Sequence, residues 1–353
     1  MGMGVGMART VDHNKPASIK DVAVLAQVSV PTVSRYLNSP ERVSKEKRDR
    51  IAKAVKLLRY RPNPIARALV KERTKTIAVL STNTTLFGQS QTIFGIEERA
   101  QKAGYTLNIG VLSAEAGEQS RQRIQSILDQ NPAGIVLLDY DQVSDDAFAY
   151  INKDLPIILI AGNRKPDVTQ ISMQERDGGY AMTSYLLGLG HKTVYHVSIP
   201  GGAGGYSRLA GWRSACEDAG VPAPAPIKAD WDPDSGKRIG AALGRKPEVT
   251  AIFAGNDEIG MGIIRGLNDV GRRVPEDVSV AGFDDHPIAK IWNPSLTTIH
   301  QDFFKAGEKA FDLLKTEIDD IDQGRGRTAD WNKLVELPGH LIERESTGIL
   351  KAE

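Results

Sequence analysis

The chain has 353 residues, 41% hydrophobic and 25% charged, which makes it globular and long enough for two or three compact domains. It contains no apolar run of bilayer-spanning length, glycines and charges occupy the opening stretch where a secretory leader needs apolar residues, and its single cysteine, Cys216, cannot form an internal disulfide; the expectation is a cytoplasmic protein. The formal net charge of +1 hides a segregation: the first 75 residues hold 17 basic and 6 acidic side chains, the remainder 28 and 38, so a basic head precedes an acidic body, as expected when one segment meets phosphates.

Residues 1–17 read as an arm. Ser18 then caps a first helix, in which Ile19, Val22, Ala23 and Ala26 recur on one face. Ser29 caps a second, with Pro31 in its first turn, where a missing N–H costs nothing; Val33 and Leu37 point one way and Thr32, Ser34 and Arg35 another. A third starts near Ser44, with Ile51, Val55 and Leu58 on its buried face. Three short helices over 18–62 are the helix-turn-helix plan, whose second helix enters the major groove. Its exposed start carries Val30 and Pro31, suited to a thymine methyl, and Arg35, suited to guanine O6 and N7. Ser18, Ser29, Thr32, Ser34, Asn38, Ser44 and Tyr60 are short donors suited to phosphates, and each reads equally well as a helix cap or surface hydroxyl.

The segment 63–75 follows. Asn63, a further phosphate donor, caps a helix of barely two turns from Pro64 to Val70, too short to stand alone in water. Two copies meeting across a dimer would stabilise it and present Leu69 to the minor groove as an apolar wedge; the plain alternative is a linker.

From Thr76 short apolar runs alternate with helical segments: TIAVLS, TLNIGVL, AGIVLL and LPIILIAG, then, after Glu175, TVYHVSI, VTAIFAG and VSVAGFDD. Strands buried on both faces with helices between them mean parallel sheets, so the fold class is α/β: a small all-α head, then a two-lobed body. The lobes are expected at 76–174 with 303–330 and at 175–298 with 331–345, leaving 346–353 as a tail. Ligands of open α/β sheets lie beyond the carboxyl ends of the strands. The residues there are Phe87, Arg208, Asn256, Asp257, Asp284 and Asp285, with Trp231 in the loop KADWDPD and Gln301 and Phe303 in the crossover SLTTIHQDFF. Forked polar groups with aromatic rings suit a saccharide. Asp257 as a helix cap and Asp285 facing solvent are equally good readings.

Other chemistry finds little support. PGGAGGYS lacks the Gly-Lys-Ser/Thr ending of a phosphate loop, and DYDQVSDD lacks the glycine and final glutamate of a calcium loop. The six histidines show no metal spacing, and His191 and His196 read as structural. Cys216, with no histidine nearby, reads as inert packing. Asp319, Asp320 and Asp322 read as a solvated helix end, and the C-terminal ERESTGILKAE has no heptad repeat for a coiled coil. Without a paired acid and base the chain is not expected to be an enzyme, nor to hold a cofactor or a metal.

SIKDVAVLAQVSVPTVSRYLN, RVSKEKRDRI and YRPNPIARAL resemble the DNA-binding head and hinge of the lactose/galactose repressor (LacI/GalR) family, and RLAGW, AGNDEIGMG, DVSVAGFDD and SLTTIHQDF resemble its effector-domain motifs. The resemblance implies a homodimer or dimer of dimers on a pseudo-palindromic operator, with Val30, Pro31 and Arg35 reading bases and Leu69 intercalating. It places Arg208, Trp231, Asn256, Asp284, Gln301 and Phe303 around an effector pocket. Two positions depart from the pattern. Gln27 stands where the family usually has glycine, at a cost of up to ~1 kcal/mol if the backbone is left-handed. Ala161 stands where the family often has an aspartate for sugar hydroxyls, and Asn163 is the nearby substitute. The implied function is a repressor released by a mono- or disaccharide. The alternatives are a corepressor-type member responding to a purine or phosphorylated metabolite, or a saccharide-binding protein or enzyme without DNA function.

Overall fold

The computed structural model describes residues 17–38, 40–60, 74–112, 117–139, 142–151, 155–162, 164–200, 207–328 and 331–350. Asn63, Leu69 and Asn163, the expected hinge helix, the arm before Ala17 and the side chain of Asn38 lie outside the described residues. The chain divides into two units, Met1–Thr74 and Lys75–Glu353.

In the first unit, α1 (Ile19–Ala26), α2 (Val30–Asn38) and α3 (Lys45–Leu57) surround a core of Val22, Ala23, Ala26, Val33, Val43, Ile51 and Ala54. Ser18 and Asp21 form a reciprocal capping box, which satisfies two backbone donors at the start of α1. Ser29 Oγ accepts from the Thr32 N–H at 3.4 Å, whereas Ser44 makes no side-chain cap bond to α3. Helix α1 ends at Gln27 with φ 53° and ψ 49°. The family's usual glycine is therefore absent from a left-handed turn, and the glutamine carries that strain with its side chain in solvent.

The second unit begins with β1 (Thr76–Ser81), α4 (Phe87–Lys102), β2 (Thr106–Val111), α5 (Gly117–Leu128), β3 (Gly134–Asp139), α6 (Gln142–Phe148), β4 (Ile157–Ala161) and β5 (Thr169–Ser172). A second series follows: α7 (Glu175–Gly188), β6 (Tyr195–Ser198), α8 (Arg208–Asp218), β7 (Ile227–Lys228), α9 (Pro233–Gly244), β8 (Ala251–Ala254), α10 (Asp257–Asp269) and β9 (Ser279–Ala281). The chain closes with β10 (Thr298–His300), α11 (Phe303–Asp322), β11 (Leu334–Glu336) and β12 (His340–Ile342). The first lobe is the parallel sheet β11-β5-β4-β3-β1-β2 and the second the parallel sheet β7-β6-β8-β9. Alternate strand residues feed opposite faces of the first sheet: Val79, Val136, Leu138 and Ile160 meet α4 and α11, while Ala78, Leu80, Leu137 and Leu159 meet α5. Both faces being covered is why the strands read as unbroken apolar runs.

Three crossovers join the lobes, at 173–174, 301–302 and 337–339, and they are tied to one another. The Leu337 N–H donates to Ser172 O at 2.8 Å and Gln301 Nε2 to Met173 O at 2.9 Å. Two expected boundaries are corrected. Strand β11, expected in the second lobe, pairs parallel with β5 of the first, Leu334 opposite Gln170, because Val335 packs on the first lobe's core and the strand covers the edge of β5. The expected tail is docked as far as Leu350: Ser346 is fully buried, its Oγ donates to Val280 O at 2.6 Å, and the Leu350 N–H donates to Leu189 O at 2.9 Å. Asp320 is also buried, accepting from Arg325 Nε (2.9 Å) and Trp331 Nε1 (3.2 Å), so it anchors the chain after α11 instead of facing solvent.

Candidate functional site

In the first unit Pro31 and Arg35 are exposed on α2, while Val30 is half-buried against the core and offers only part of its surface. Ser18, Ser29 and Ser44 are exposed, and Thr32, Ser34 and Tyr60 half-buried. Two hydroxyls are engaged locally: Ser18 Oγ donates to Asp21 Oδ2 at 2.7 Å, and Ser29 Oγ lies 2.8 Å from Thr32 Oγ1. The single O–H of Ser18 is thereby used and its lone pairs only accept, so a phosphate contact requires that O–H to turn from Asp21; of Ser29 and Thr32, whichever accepts keeps its own O–H for a phosphate. Exposed Lys45, Lys47, Lys53, Lys56 and Arg59 carry the positive charge around them.

In the second unit β5 and β11 both run directly into crossovers at their carboxyl ends, so that edge of the first sheet faces the second lobe. Phe87, just beyond β1, reaches across: its ring lies 4.7 Å from that of His286 in the second lobe and 6.0 Å, edge-on, from Phe303. Phe303 is 5% exposed and belongs to the first lobe's core, so it backs Phe87 and presents little surface of its own.

The charged centre of the cleft is Arg208, the first residue of α8, whose preceding Ser207 caps the helix. Helices α7 and α8 approach closely because they meet at glycines. A Cβ on Gly211 would lie 2.0 Å from Arg176 O, and one on Gly179 2.3 Å from Arg208 O. This packing places Glu175, at the start of α7, beside the guanidinium: Arg208 Nη2 lies 2.9 Å from Glu175 Oε1 and 2.8 Å from Asp284 Oδ1, while Nη1 donates to Gly255 O. The guanidinium lies 4.0 Å over the Phe283 ring. Its contact with Asp284 is an ion pair without hydrogen-bond alignment, so Asp284 Oδ1, like Arg208 Nε, has no hydrogen-bond partner. Burial pushes the Asp284 carboxyl up to about 7 against the pull of Arg208. Burial alone would lower Arg208's basicity, but Asp284 and Glu175 outweigh it and hold the cation charged. Asp284 has φ 102°, a strained backbone for a non-glycine residue that aims its carboxylate into the cleft.

The other expected residues divide. Gln301 is buried, with Nε2 bonded to Met173 O and Oε1 unpartnered. Asn256 caps α10, accepting the Ile259 N–H at 2.9 Å, which leaves its amide N–H groups for other use. Trp231 is half-buried before α9 and is not among the residues lining the small pocket at Arg208, which are Glu175, His196, Ser198, Ile199, Ser207, Leu209 and Gly255. Asp257 is structural, bound by Thr298 Oγ1 (2.7 Å) and the His286 N–H (2.6 Å). Asp285 is buried, ion-paired to Arg344 and within hydrogen-bond distance (3.0 Å) of His300 Nδ1, not turned to solvent. His196 is stacked on Trp212, bonded to Phe253 O and pushed down by burial to about 4, so it is neutral. His191 is fixed between Thr250 and Ser279. Sequence reasoning missed Glu175 and Glu258, whose buried Oε2 is unpartnered; only their places, at a crossover and two residues after Asn256, hinted at them. No group of three or more metal-ligating side chains occurs among the described residues.

Residues 18–63 match the family described as bacterial regulatory proteins, lacI family, and residues 183–347 the periplasmic binding protein-like domain. The HTH-type transcriptional repressor PurR of Escherichia coli O139:H28 is 33% identical over 343 residues, spanning 94% of this chain and 96% of that protein. The PurR of Erwinia tasmaniensis is 32% identical over 341 residues at the same coverage. Among solved structures, the lac repressor dimer bound to operator and the anti-inducer ONPF has a TM-score of 0.82 at 28% identity, over 95% of this chain and 100% of that one. A complex of the transcriptional regulator CelR with cellobiose has a TM-score of 0.66 at 28% identity, over 94% and 99%.

Proposed function

The chain belongs to the lacI family of bacterial regulatory proteins, and from that premise we propose that it is a DNA-binding repressor whose effector is a neutral, hydroxyl-rich small molecule of mono- or disaccharide size. The observation that carries the effector class is the charge balance at Arg208. One guanidinium faces the carboxylates of Glu175 and Asp284, with Glu258 close enough to Asp284 to raise its pKa. An anionic surplus of this kind repels a phosphorylated metabolite and suits donors that carry no charge. Gln301 Oε1 and Arg208 Nε, both buried without partners, are the acceptor and donor that ligand hydroxyls would satisfy; an orphaned buried group costs ~1–3 kcal/mol until it is met. The carboxylates then act as hydrogen-bond acceptors and not as an acid–base pair, so we read the protein as non-enzymatic.

At the operator, Arg35 is the guanine reader, and Pro31 with the open part of Val30 supplies an apolar contact. Ser18, Ser29, Thr32, Ser34, Asn38, Ser44, Tyr60 and Asn63 meet phosphates, and Leu69 wedges the minor groove from a homodimer on a pseudo-palindromic site. Effector binding between the lobes weakens this arrangement through differential affinity for two states. A thousandfold release requires ~4 kcal/mol of coupling. The relatives named PurR support a second reading, a corepressor-type response to a purine.

One experiment separates the two. Thermal shift of the full chain against D-glucose, D-galactose, D-ribose, cellobiose, adenine and hypoxanthine should give a shift with a sugar, since ~100-fold excess over Kd stabilises by ~2.7 kcal/mol. That sugar should then release the protein from a duplex selected out of a random pool. A shift with the purines alone, strengthening DNA binding, replaces the sugar reading.

A further inference from the structure

Two histidines with no part in the DNA-binding head or the effector cleft meet at the joint between the lobes. His300 ends β10, which runs straight into the crossover 301–302, and His340 opens β12, which leaves the crossover 337–339. The two strands pair antiparallel with His300 directly opposite His340, so both side chains stand on one face with their Cβ atoms ~5 Å apart. Their ring centres lie 5.0 Å apart at an interplanar angle of 47°. Two imidazoles on one zinc ion, each nitrogen ~2.1 Å from the metal, place their ring centres about 5 Å apart. The pair is distant in sequence, which is why spacing along the chain showed no metal pattern.

His300 is also oriented as a ligand is. Its Nδ1 lies 3.0 Å from Asp285 Oδ2, and Asp285 is itself held by Arg344. A carboxylate only accepts, so Nδ1 carries the proton and Nε2 keeps its lone pair for another partner. A carboxylate behind the imidazole, fixing its tautomer, is the arrangement that backs most metal-bound histidines. The His300 side chain is 36% exposed and His340 is exposed, so an ion reaches both from solvent. Lys290 Nζ lies 3.8 Å from the same Asp285 oxygen, but its side chain is 58% exposed and its repulsion is screened by water and salt.

We propose that His300 and His340 form a binding site for a divalent transition-metal ion of the zinc or nickel kind, with Asp285 as the orienting carboxylate and water completing the coordination. Imidazole ligands favour zinc, nickel and copper over magnesium and calcium. Each histidine adjoins a different crossover. A bound ion therefore fastens two of the connections between the lobes to each other and stiffens their joint, whatever the effector in the cleft.

The test uses the full chain without an affinity tag, titrated with Zn²⁺ and with Ni²⁺ by calorimetry in the absence of sugar. Wild type should bind a single ion per chain, and Mg²⁺ should not compete. His300→Gln and His340→Asn should each weaken binding roughly 100-fold, since each removes one arm of a two-point contact. His340 is exposed, so its variant keeps the fold and guards against misfolding of the other. In hydrogen exchange, saturating Zn²⁺ should slow the amides of Gln301, Leu337 and Gly339 about threefold or more in wild type and leave them unchanged in both variants. No binding by wild type, or affinity within about threefold of wild type in both variants, overturns the site. Exchange at these amides unaltered by Zn²⁺ in wild type overturns the stiffening of the joint.

Discussion

Replacing Arg208 by methionine removes the cation shared by Glu175 and Asp284 while keeping much of the side-chain volume over Phe283. Breaking a buried ion pair by deleting one partner costs ~3–5 kcal/mol, since the abandoned charge stays buried. At ~2–4 °C per kcal/mol for a unit of this size, the melting temperature of the body should fall by about 6–20 °C. The loss should depend on pH. With Arg208 present, burial already lifts the Asp284 carboxyl to about 7; a carboxyl raised above its unfolded value binds more protons in the native state, so its contribution is full at low pH and fades as pH rises to about 7. Without the cation the carboxyl rises further and the fading continues to higher pH. The difference between wild type and variant should therefore lie at the low end of that range at pH 6 and grow by about 1–2 kcal/mol by pH 8, at ~1.4 kcal/mol per proton per pH unit. Thermal melts of both proteins at pH 6, 7 and 8 measure it. A destabilisation independent of pH, or below about 1 kcal/mol throughout, refutes the assignment of Arg208 as the counter-ion of this cluster.

Gln27→Gly should stabilise the head by ~0.5–1 kcal/mol by relieving a left-handed glutamine, read as slower hydrogen exchange in α1; faster exchange contradicts it. Burial pushes Glu317 up to about 7 against the bond from Thr169 Oγ1, so native stability falls as pH climbs from the ordinary glutamate range toward 7. Glu317→Gln should remove up to ~3 kcal/mol of that slope, visible in urea titrations at pH 5 and 8, and an unchanged slope counts against it. Gly211→Ala, with its Cβ 2.0 Å from Arg176 O, should cost ~1–3 kcal/mol by forcing α7 and α8 apart; a melting temperature equal to wild type would show that the helices can yield. Cys216 is buried and its thiol is pushed up by burial to about 11, so Ellman's reagent should label it only on unfolding, and labelling of the native protein would contradict its packing.

Much of this was legible because its causes are local. Ser18 and Ser29 stand three residues before the N–H groups they accept, and Pro31 occupies a first turn, so the helices of the head follow from short-range chemistry. The strands were visible for a related reason: a parallel strand covered on both faces must be apolar along its length, and TIAVLS or LPIILIAG can be little else. Short elements with weak signals escaped, among them the two-residue β7 and α9, whose start at Asp232 and Pro233 sits inside a stretch that reads as loop.

The chain alone therefore determined the class of each segment, the basic head on an acidic body, and the rule that function lies beyond the strand ends. Only the tertiary structure decided which charges meet. Glu175, Arg208 and Asp284 are far apart in sequence and converge because the second lobe's parallel sheet and the close packing of α7 on α8 bring the starts of two helices and the end of β9 to one place. The same closure turned Asn256 into a helix cap, Phe303 into core, and Asp285 and Asp320 into buried anchors. Whether a carboxylate binds a ligand, a lysine or a backbone N–H depends on its neighbours in space, and those are chosen by the path of the whole chain.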